Sequence, residues 1–457
     1  MSIGAILAIF FSVLLVLVFL GIPVFVSMGV TAIVGILLWL GPARLGQFGG
    51  IAYTQGTNFN QVILPMFILM SEFLSQGQIA EDIYYVLNRA IGKVKGGLAI
   101  ATTLACTIFA ALCGSSPATA ASIGKISIAE MTKRGYAPGF AVGTVAAGGT
   151  LGIMIPPSIT FCLYGVLTET SIVQLFMAGV IPGLILSALI IVSIIVRVRL
   201  NPNLINHVEA KSAADINMAE ARDIVETAKD AATADSGAVK EKGASILTII
   251  PALILIFVVL GTMYFGWATP LEAAGYGVIG SLLILILQRR FTMKIFSDSL
   301  LNAAKTGTMM VFLIICGFCM TFVISYLGVP QSIAVAITQS GLSKYAVLLL
   351  VYVVWFILGC LMDPTSLVIL TIPFLFQTLT GFGFDPLWIG VVVVLAAQIA
   401  MITPPVGMNL FVLRANSDVP MKDIMTGCIP YVVLLFIGLA IFTIFPQLSL
   451  WLPAQMF

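Results

Sequence analysis

Apolar and polar residues separate along this chain into blocks the length of whole helices. Runs such as "ILTIIPALILIFVVLGTMYF" (246–265) and "PYVVLLFIGLAIFTIF" (430–445) carry no charge, and similar runs recur from end to end. Each approaches the roughly 20 residues that a helix needs to cross a bilayer, whereas a closed barrel would show short segments of strict alternation. In the first half the pattern predicts full passes at about 2–20, 22–40, 60–75, 140–167 and 173–196. Between the third and fourth, residues 96–131 read "GGLAIATTLACTIFAALCGSSPATAASIGKISIAEM". The segment is too long for one span, and its second arm is too short and polar to be a span alone. A re-entrant hairpin with its tip near Gly114 to Thr119 fits it.

One stretch breaks the pattern. Residues 201–245 hold 13 of the 40 charged side chains and the only histidine, His207, with few large apolar residues, so they predict a solvated loop. The two halves flanking it match at a shift of 247 to 248 positions: Pro23 with Pro270, Cys113 with Cys360, Pro117 with Pro364, Pro138 with Pro386, Pro156 and Pro157 with Pro404 and Pro405, and Pro182 with Pro430. Registered prolines across a whole half point to a duplicated unit. The predicted organisation is a first repeat over 1–200 (scaffold helices 1–95, hairpin 96–131, broken helix 139–168, helix 173–197) and the polar loop 201–245. The second repeat covers 246–457 (scaffold helices 246–327, hairpin 343–380, broken helix 387–412, helix 427–446).

Composition and charge turn this pattern into a topology. The chain is 60% hydrophobic and 9% charged, with a mean hydropathy of +1.13, so lipid is its solvent and it is expected to be an all-α polytopic membrane protein. The first apolar run lacks a basic flank and a small-residue cleavage site, which predicts a retained helix rather than a leader. If each hairpin returns to the side it entered from, only Arg44 and Lys344 fall opposite the other 19 of 21 Lys and Arg. That majority side is the cytoplasm. Both termini are then periplasmic, loop 201–245 is cytoplasmic, and five passes per half make the repeats inverted, the plan of secondary transporters.

Backbone at membrane depth is left non-helical only where protein or a polar cavity satisfies it. Each half has two such places. One is a hairpin tip, "CGSSPATAA" (113–121) or "CLMDPTSLV" (360–368). The other is a Pro-Pro break, "GGTLGIMIPPSIT" (148–160) or "QIAMITPPVGMNL" (398–410). Unwound carbonyls and hydroxyls suit a small hard cation, and helix N-termini favour an anion. The candidates are Gly114, Ser115, Ser116 and Thr119 with the backbone of Gly149 to Ile155, including Gly152, in the first half. In the second they are Asp363, Thr365, Ser366, Thr403, Gly407 and Asn409. Asp363 is the acidic residue that stands at both depth and a break, where an ionisable group is costly and needs a function or a partner.

Weaker signals read more plainly. Glu72 is expected to snorkel to the interface, Glu272 to cap a helix start, and residues 77–93 to lie along the cytoplasmic surface as an amphipathic arm. The five tryptophans mostly suit interfacial belts. The seven cysteines have no disulfide or zinc spacing. No P-loop, HExxH or serine nucleophile with an evident base is present, so the chain is expected not to be an enzyme and not to bind nucleic acid.

"FAALCGSSPATAASIGKISIAEMTKRGY", "GTLGIMIPPSI" and "ITPPVGMNLFV" together resemble the large membrane (M, DctM-like) subunit of tripartite ATP-independent periplasmic transporters, over nearly the whole chain. The resemblance implies an elevator-type transporter of the ion transporter superfamily, in which hairpins and broken helices move against a scaffold. It implies sodium-coupled uptake of an organic acid across the bacterial inner membrane, with Na+ at two or more sites. The implied partners are a small four-helix membrane subunit and a periplasmic substrate-binding protein. Carried onto this chain, the sodium sites fall on Gly114, Ser115, Ser116, Gly149 and Gly152, and on Asp363, Thr365, Thr403 and Gly407. Substrate would meet Ser116, Thr119, Pro157, Thr365 and Asn409. The alternatives are a stand-alone sodium/dicarboxylate symporter, and a membrane scaffold or channel.

Overall fold

A computed structural model of the chain describes residues 3–205, 246–332, 335, 341–404 and 407–456. Most of the expected loop 201–245 and Pro405 of the second Pro-Pro motif lie outside the described residues. Every regular element among the described residues is helical. The first half contributes α1 (Ile3–Phe19), α2 (Val24–Gly35), α3 (Leu45–Gly56), α4 (Ile63–Gln76), α5 (Ile79–Ile91), α6 (Gly97–Cys113), α7 (Ser116–Lys133), α8 (Pro138–Thr150), α9 (Ile159–Thr168) and α10 (Ile172–Leu200). The second contributes α11 (Ile250–Tyr264), α12 (Pro270–Leu287), α13 (Met293–Tyr326), α14 (Lys344–Gly359), α15 (Pro364–Gly381), α16 (Pro386–Ala400), α17 (Met408–Ala415), α18 (Met421–Ile444) and α19 (Gln447–Met456).

Among the described residues five helices are long and apolar enough to cross a membrane: α10, α12, α13, α15 and α18. The pair Phe59–Gln76 and Ile79–Ile91 is bent by 58° and counts as a sixth only when taken as one span. The chain is thus a multi-pass membrane protein. Several other apolar helices are shorter because the sequence stops them. Gly114 stops α6, the turn 151–158 separates α8 from α9, and α16 ends at Ala400 before α17 begins at Met408. The returning arm α15 is itself long enough to span, a length that the polar tip before it conceals in the sequence.

Helices of the two halves pack on one another in exchanged pairs. Helix α7 lies on α17 and α15 on α9; α8 lies on α18 and α16 on α10; α4 lies on α12 and α2 on α13. The closest of these contacts is backbone on backbone. A methyl group added at Gly143 would fall 2.2 Å from the carbonyl oxygen of Gly427, and one at Gly427 would fall 1.9 Å from that of Gly139. Lipid offers helices no hydrophobic drive to associate, so small residues that let backbones touch carry the packing. The hydroxyls of Thr144 and Tyr431 bond at 2.7 Å in the same contact. The first helix break also lies inside the bundle, buried from Gly148 to Thr160.

Other elements differ from the expectation. Trp355 and Trp388 are buried, not at an interface, because their indole N–H groups are satisfied inside the bundle by Thr371 Oγ1 (2.9 Å) and the Phe442 carbonyl (2.8 Å). Glu72 is half-buried and accepts from Asn302 Nδ2 at 3.4 Å across the halves, so it is held by a partner rather than free to snorkel. The arm α5 buries Ile79, Ala80, Ile83, Tyr84 and Val86 and packs on α6 and α7. Asp82 ties it to Arg290 at 2.8 Å. Glu272 caps α12 in a reciprocal box with Thr269. Helices α3 and α19 have no counterpart in the predicted passes; their Gly, Gln, Ser and Pro content hides them from an apolar-run search. All seven cysteines are free and buried.

Candidate cation and acid site

The first tip is two residues long. Gly114 closes α6 with φ +64°, a left-handed conformation that glycine adopts without strain, and a methyl there would lie 2.6 Å from the Pro157 carbonyl oxygen. The tip is therefore seated on the first break, and the Ile159 N–H donates to the Gly114 carbonyl. Ser115 is extended and does not cap α7 with its side chain. Its carbonyl instead accepts from the Thr119 N–H and from Thr119 Oγ1 at 2.8 Å. Gly152 comes against the same carbonyl, since a methyl there would sit 2.5 Å from it and 2.7 Å from Thr119 Oγ1. Gly149 packs as closely on Ala120. Gly114, Ser115, Thr119, Gly149, Gly152 and Pro157 are thus one contiguous group, and the first break is buried throughout from Gly148 to Thr160. Ser158 holds the turn by donating to the Ile153 carbonyl at 2.6 Å and capping α9.

The second half is built differently. Asp363 is the N-cap of α15, its carboxylate accepting the N–H groups of Thr365 and Ser366 at 3.1 Å and the hydroxyls of the same two residues. Three of these four bonds fall on Oδ2 and one on Oδ1. Thr365 is consequently bound to Asp363. In the second break Gly407 has φ +50°, and a methyl there would lie 2.9 Å from the Thr403 and 3.0 Å from the Met401 carbonyl oxygens. The Asn409 N–H closes this turn on the Met401 carbonyl, while Thr403 Oγ1 bonds back to Ile399.

Two side-chain amides join the second break to the first half. Asn409 Nδ2 donates to Ser116 Oγ at 2.8 Å, and Gln398 Nε2 donates to Thr150 Oγ1 at 2.8 Å; all four residues are buried. Each amide leaves its carbonyl oxygen, Asn409 Oδ1 and Gln398 Oε1, buried without a hydrogen-bond donor among the described residues. A buried acceptor without a partner costs about 1–3 kcal/mol, a cost that persists where such an atom serves a ligand or a fixed geometry. Ser116 and Asn409 are brought together; among the described residues no hydrogen bond links Asp363 or Thr365 to the first tip. Gln398 and Thr150 escaped the sequence reading, although Thr150 plus 248 is Gln398 and both are polar residues beside a break.

The residues of the two tips and breaks named above are oxygen-rich and, Asp363 apart, uncharged. Among the described residues no three His, Cys, Asp or Glu side chains cluster as metal ligands. A cation held here would be held by carbonyls, hydroxyls, amide oxygens and the one carboxylate, a donor set that suits a hard monovalent ion.

Comparison with known proteins agrees with this architecture. Residues 11–448 match the model of the tripartite ATP-independent periplasmic transporter, DctM component. The chain is 34% identical to the C4-dicarboxylate TRAP transporter large permease protein DctM of Pseudomonas aeruginosa, over 93% of each chain. It is 31% identical to the protein of that name from Vibrio cholerae, over 98% of this chain and 97% of the relative. Among solved structures, the YdaH transporter of Alcanivorax borkumensis shares the fold with a TM-score of 0.59 at 12% identity, covering 92% of this chain and 90% of that one. A membrane-embedded helical chain with these relatives is a transport protein and not an enzyme, and it belongs to the DctM component family of the tripartite ATP-independent periplasmic transporters.

Proposed function

We propose that this permease takes up an organic acid across the bacterial inner membrane, driven by sodium and by an elevator movement of the hairpins and broken helices against the remaining scaffold. A C4-dicarboxylate is the substrate for which both relatives are named, and it is the first candidate here. Substrate would be delivered by a periplasmic binding protein, with a small four-helix membrane subunit as the standing partner.

The observation that carries this reading is the convergence of both helix breaks and the first tip at the buried centre, tied by Asn409–Ser116 and Gln398–Thr150. The exchanged helix pairs, and a bond between residues 248 positions apart, support two inverted repeats related by a two-fold axis through that centre. The asymmetry of the tips supports a division of labour. In the second half an internal carboxylate, Asp363, fills the N-terminus of α15. In the first, Ser115 leaves the N-terminus of α7 uncapped, so a substrate carboxylate would find the same partial positive charge beside Ser116 and Asn409. Sodium would take the carbonyls around Ser115, Gly149 and Gly152, and in the second half Asp363 through Oδ1 with Thr365, Thr403 and Gly407. Each net positive charge moved inward across 100 mV releases about 2.3 kcal/mol, so two sodium ions carried with a dianion would draw on the sodium gradient alone and a third would add the membrane potential.

Uptake of labelled C4-dicarboxylate by proteoliposomes holding this chain and its small subunit tests the assembly. Uptake is expected only when binding protein is added. Equal uptake without it would replace this reading with a stand-alone symporter, and a conductance near 10^6 ions per second would replace it with a channel.

A further inference from the structure

The side chains of Gln398 and Thr150 carry none of the predicted ligand roles, yet their bond joins the two halves of the chain at positions 248 residues apart. Thr150 ends α8 and belongs to the run Gly149 to Ile155 whose backbone lines the first break; Gln398 lies in the last turn of α16, just before the second. Thr150 Oγ1 itself donates to the Ala147 carbonyl at 2.7 Å while accepting from Gln398, so its orientation is fixed from both sides. Both side chains are fully buried. Gln398 Oε1 has no donor among the described residues, so in this geometry its amide makes one directed bond, and that bond is to the other break.

The Gln398–Thr150 bond ties together the helix ends that precede the two breaks, so a displacement of one end is passed to the other. We propose that Gln398 is a positioning residue which, through Thr150, couples the two half-sites, so that a cation drawing in the carbonyls of one break pre-orders the other. This rests on the sodium-coupled reading above. It adds that the cooperativity of sodium resides in this one contact, not in either ligand set. Coupling between sites typically changes affinity 5- to 150-fold, and losing it is expected to raise the half-saturating sodium concentration at least about 5-fold.

The test measures the sodium dependence of uptake in proteoliposomes containing the whole chain, its small subunit and binding protein. Wild type is expected to show a Hill coefficient above 1. Gln398→Met, which keeps volume but removes the donor, and the near-isosteric Thr150→Val are each expected to lower it toward 1. Thr150→Ser, which retains the hydroxyl, is expected to behave as wild type, and the double variant to be no worse than either single one. A mere loss of packing would lower the maximal rate and leave the Hill coefficient alone. A cooperative wild type with an unchanged coefficient in both single variants would overturn this inference alone. A wild type without sodium dependence would overturn the sodium reading and this inference with it.

Discussion

Asn409 donates to Ser116 Oγ at 2.8 Å, bonding the first turn of α17 to the first turn of α7 across 293 positions of sequence. Each residue alone is an ordinary polar side chain at a helix contact. Joined, they fix the returning arm of the first hairpin to the second break and leave one amide oxygen with no donor among the described residues. Ser116→Ala removes the acceptor and strands the amide N–H. It is expected to cost about 1–3 kcal/mol of stability and to reduce uptake, whereas Ser116→Thr keeps the hydroxyl. Thermal unfolding in detergent beside initial uptake rates would check this; equal behaviour of the two variants would contradict it.

Asp363 serves as a helix cap and as a charge, and substitutions separate the two. Asn caps nearly as well as Asp, so Asp363→Asn is expected to keep the melting temperature while raising the sodium requirement for uptake. Asp363→Ala loses the cap as well, at about 1 kcal/mol. Unchanged sodium activation in Asp363→Asn would remove this carboxylate from the ligand set.

The α8–α18 crossing leaves no room for a side chain at Gly143 or Gly427. Gly143→Leu is expected to cost about 3 kcal/mol or more, since the obstacle is backbone and cannot rotate away. Gly275, with open space around it, is the control: Gly275→Ala should leave unfolding within a few tenths of a kcal/mol or slightly stabilise α12. Comparable loss in both would show that the close contact is not what holds α8.

Arg290 meets Asp82 at 2.8 Å and the Gly77 carbonyl at 2.6 Å, bracing α5 to the start of α13. Both side chains are largely buried, so Arg290→Met is expected to cost about 3 kcal/mol by leaving Asp82 unpaired. Adding Asp82→Leu to it should restore much of that loss. Proteolysis near residues 92–96 would report release of the arm.

The sequence made some of this legible and hid the rest for physical reasons. Apolar runs and prolines are one-dimensional signals, and they mark the tips and the breaks. The partner of a polar side chain is three-dimensional. Nothing in "QIAMITPPVGMNL" says that its Gln meets Thr150 and its Asn meets Ser116. Burial of Trp355 and Trp388 was hidden likewise, because an indole in an apolar run suits a belt or a core equally until its N–H acceptor is known. Helix α3 was obscured by four glycines and two glutamines, a composition that scores as loop.

The central claim is that cations bound at the interrupted helices drive the acid across. It is tested most directly by the initial rate of C4-dicarboxylate uptake into proteoliposomes at fixed membrane potential, with outside sodium varied against choline at constant ionic strength. The account predicts a steep, saturable dependence with a Hill coefficient above 1 and no uptake in choline. Equal rates in sodium and choline would contradict it.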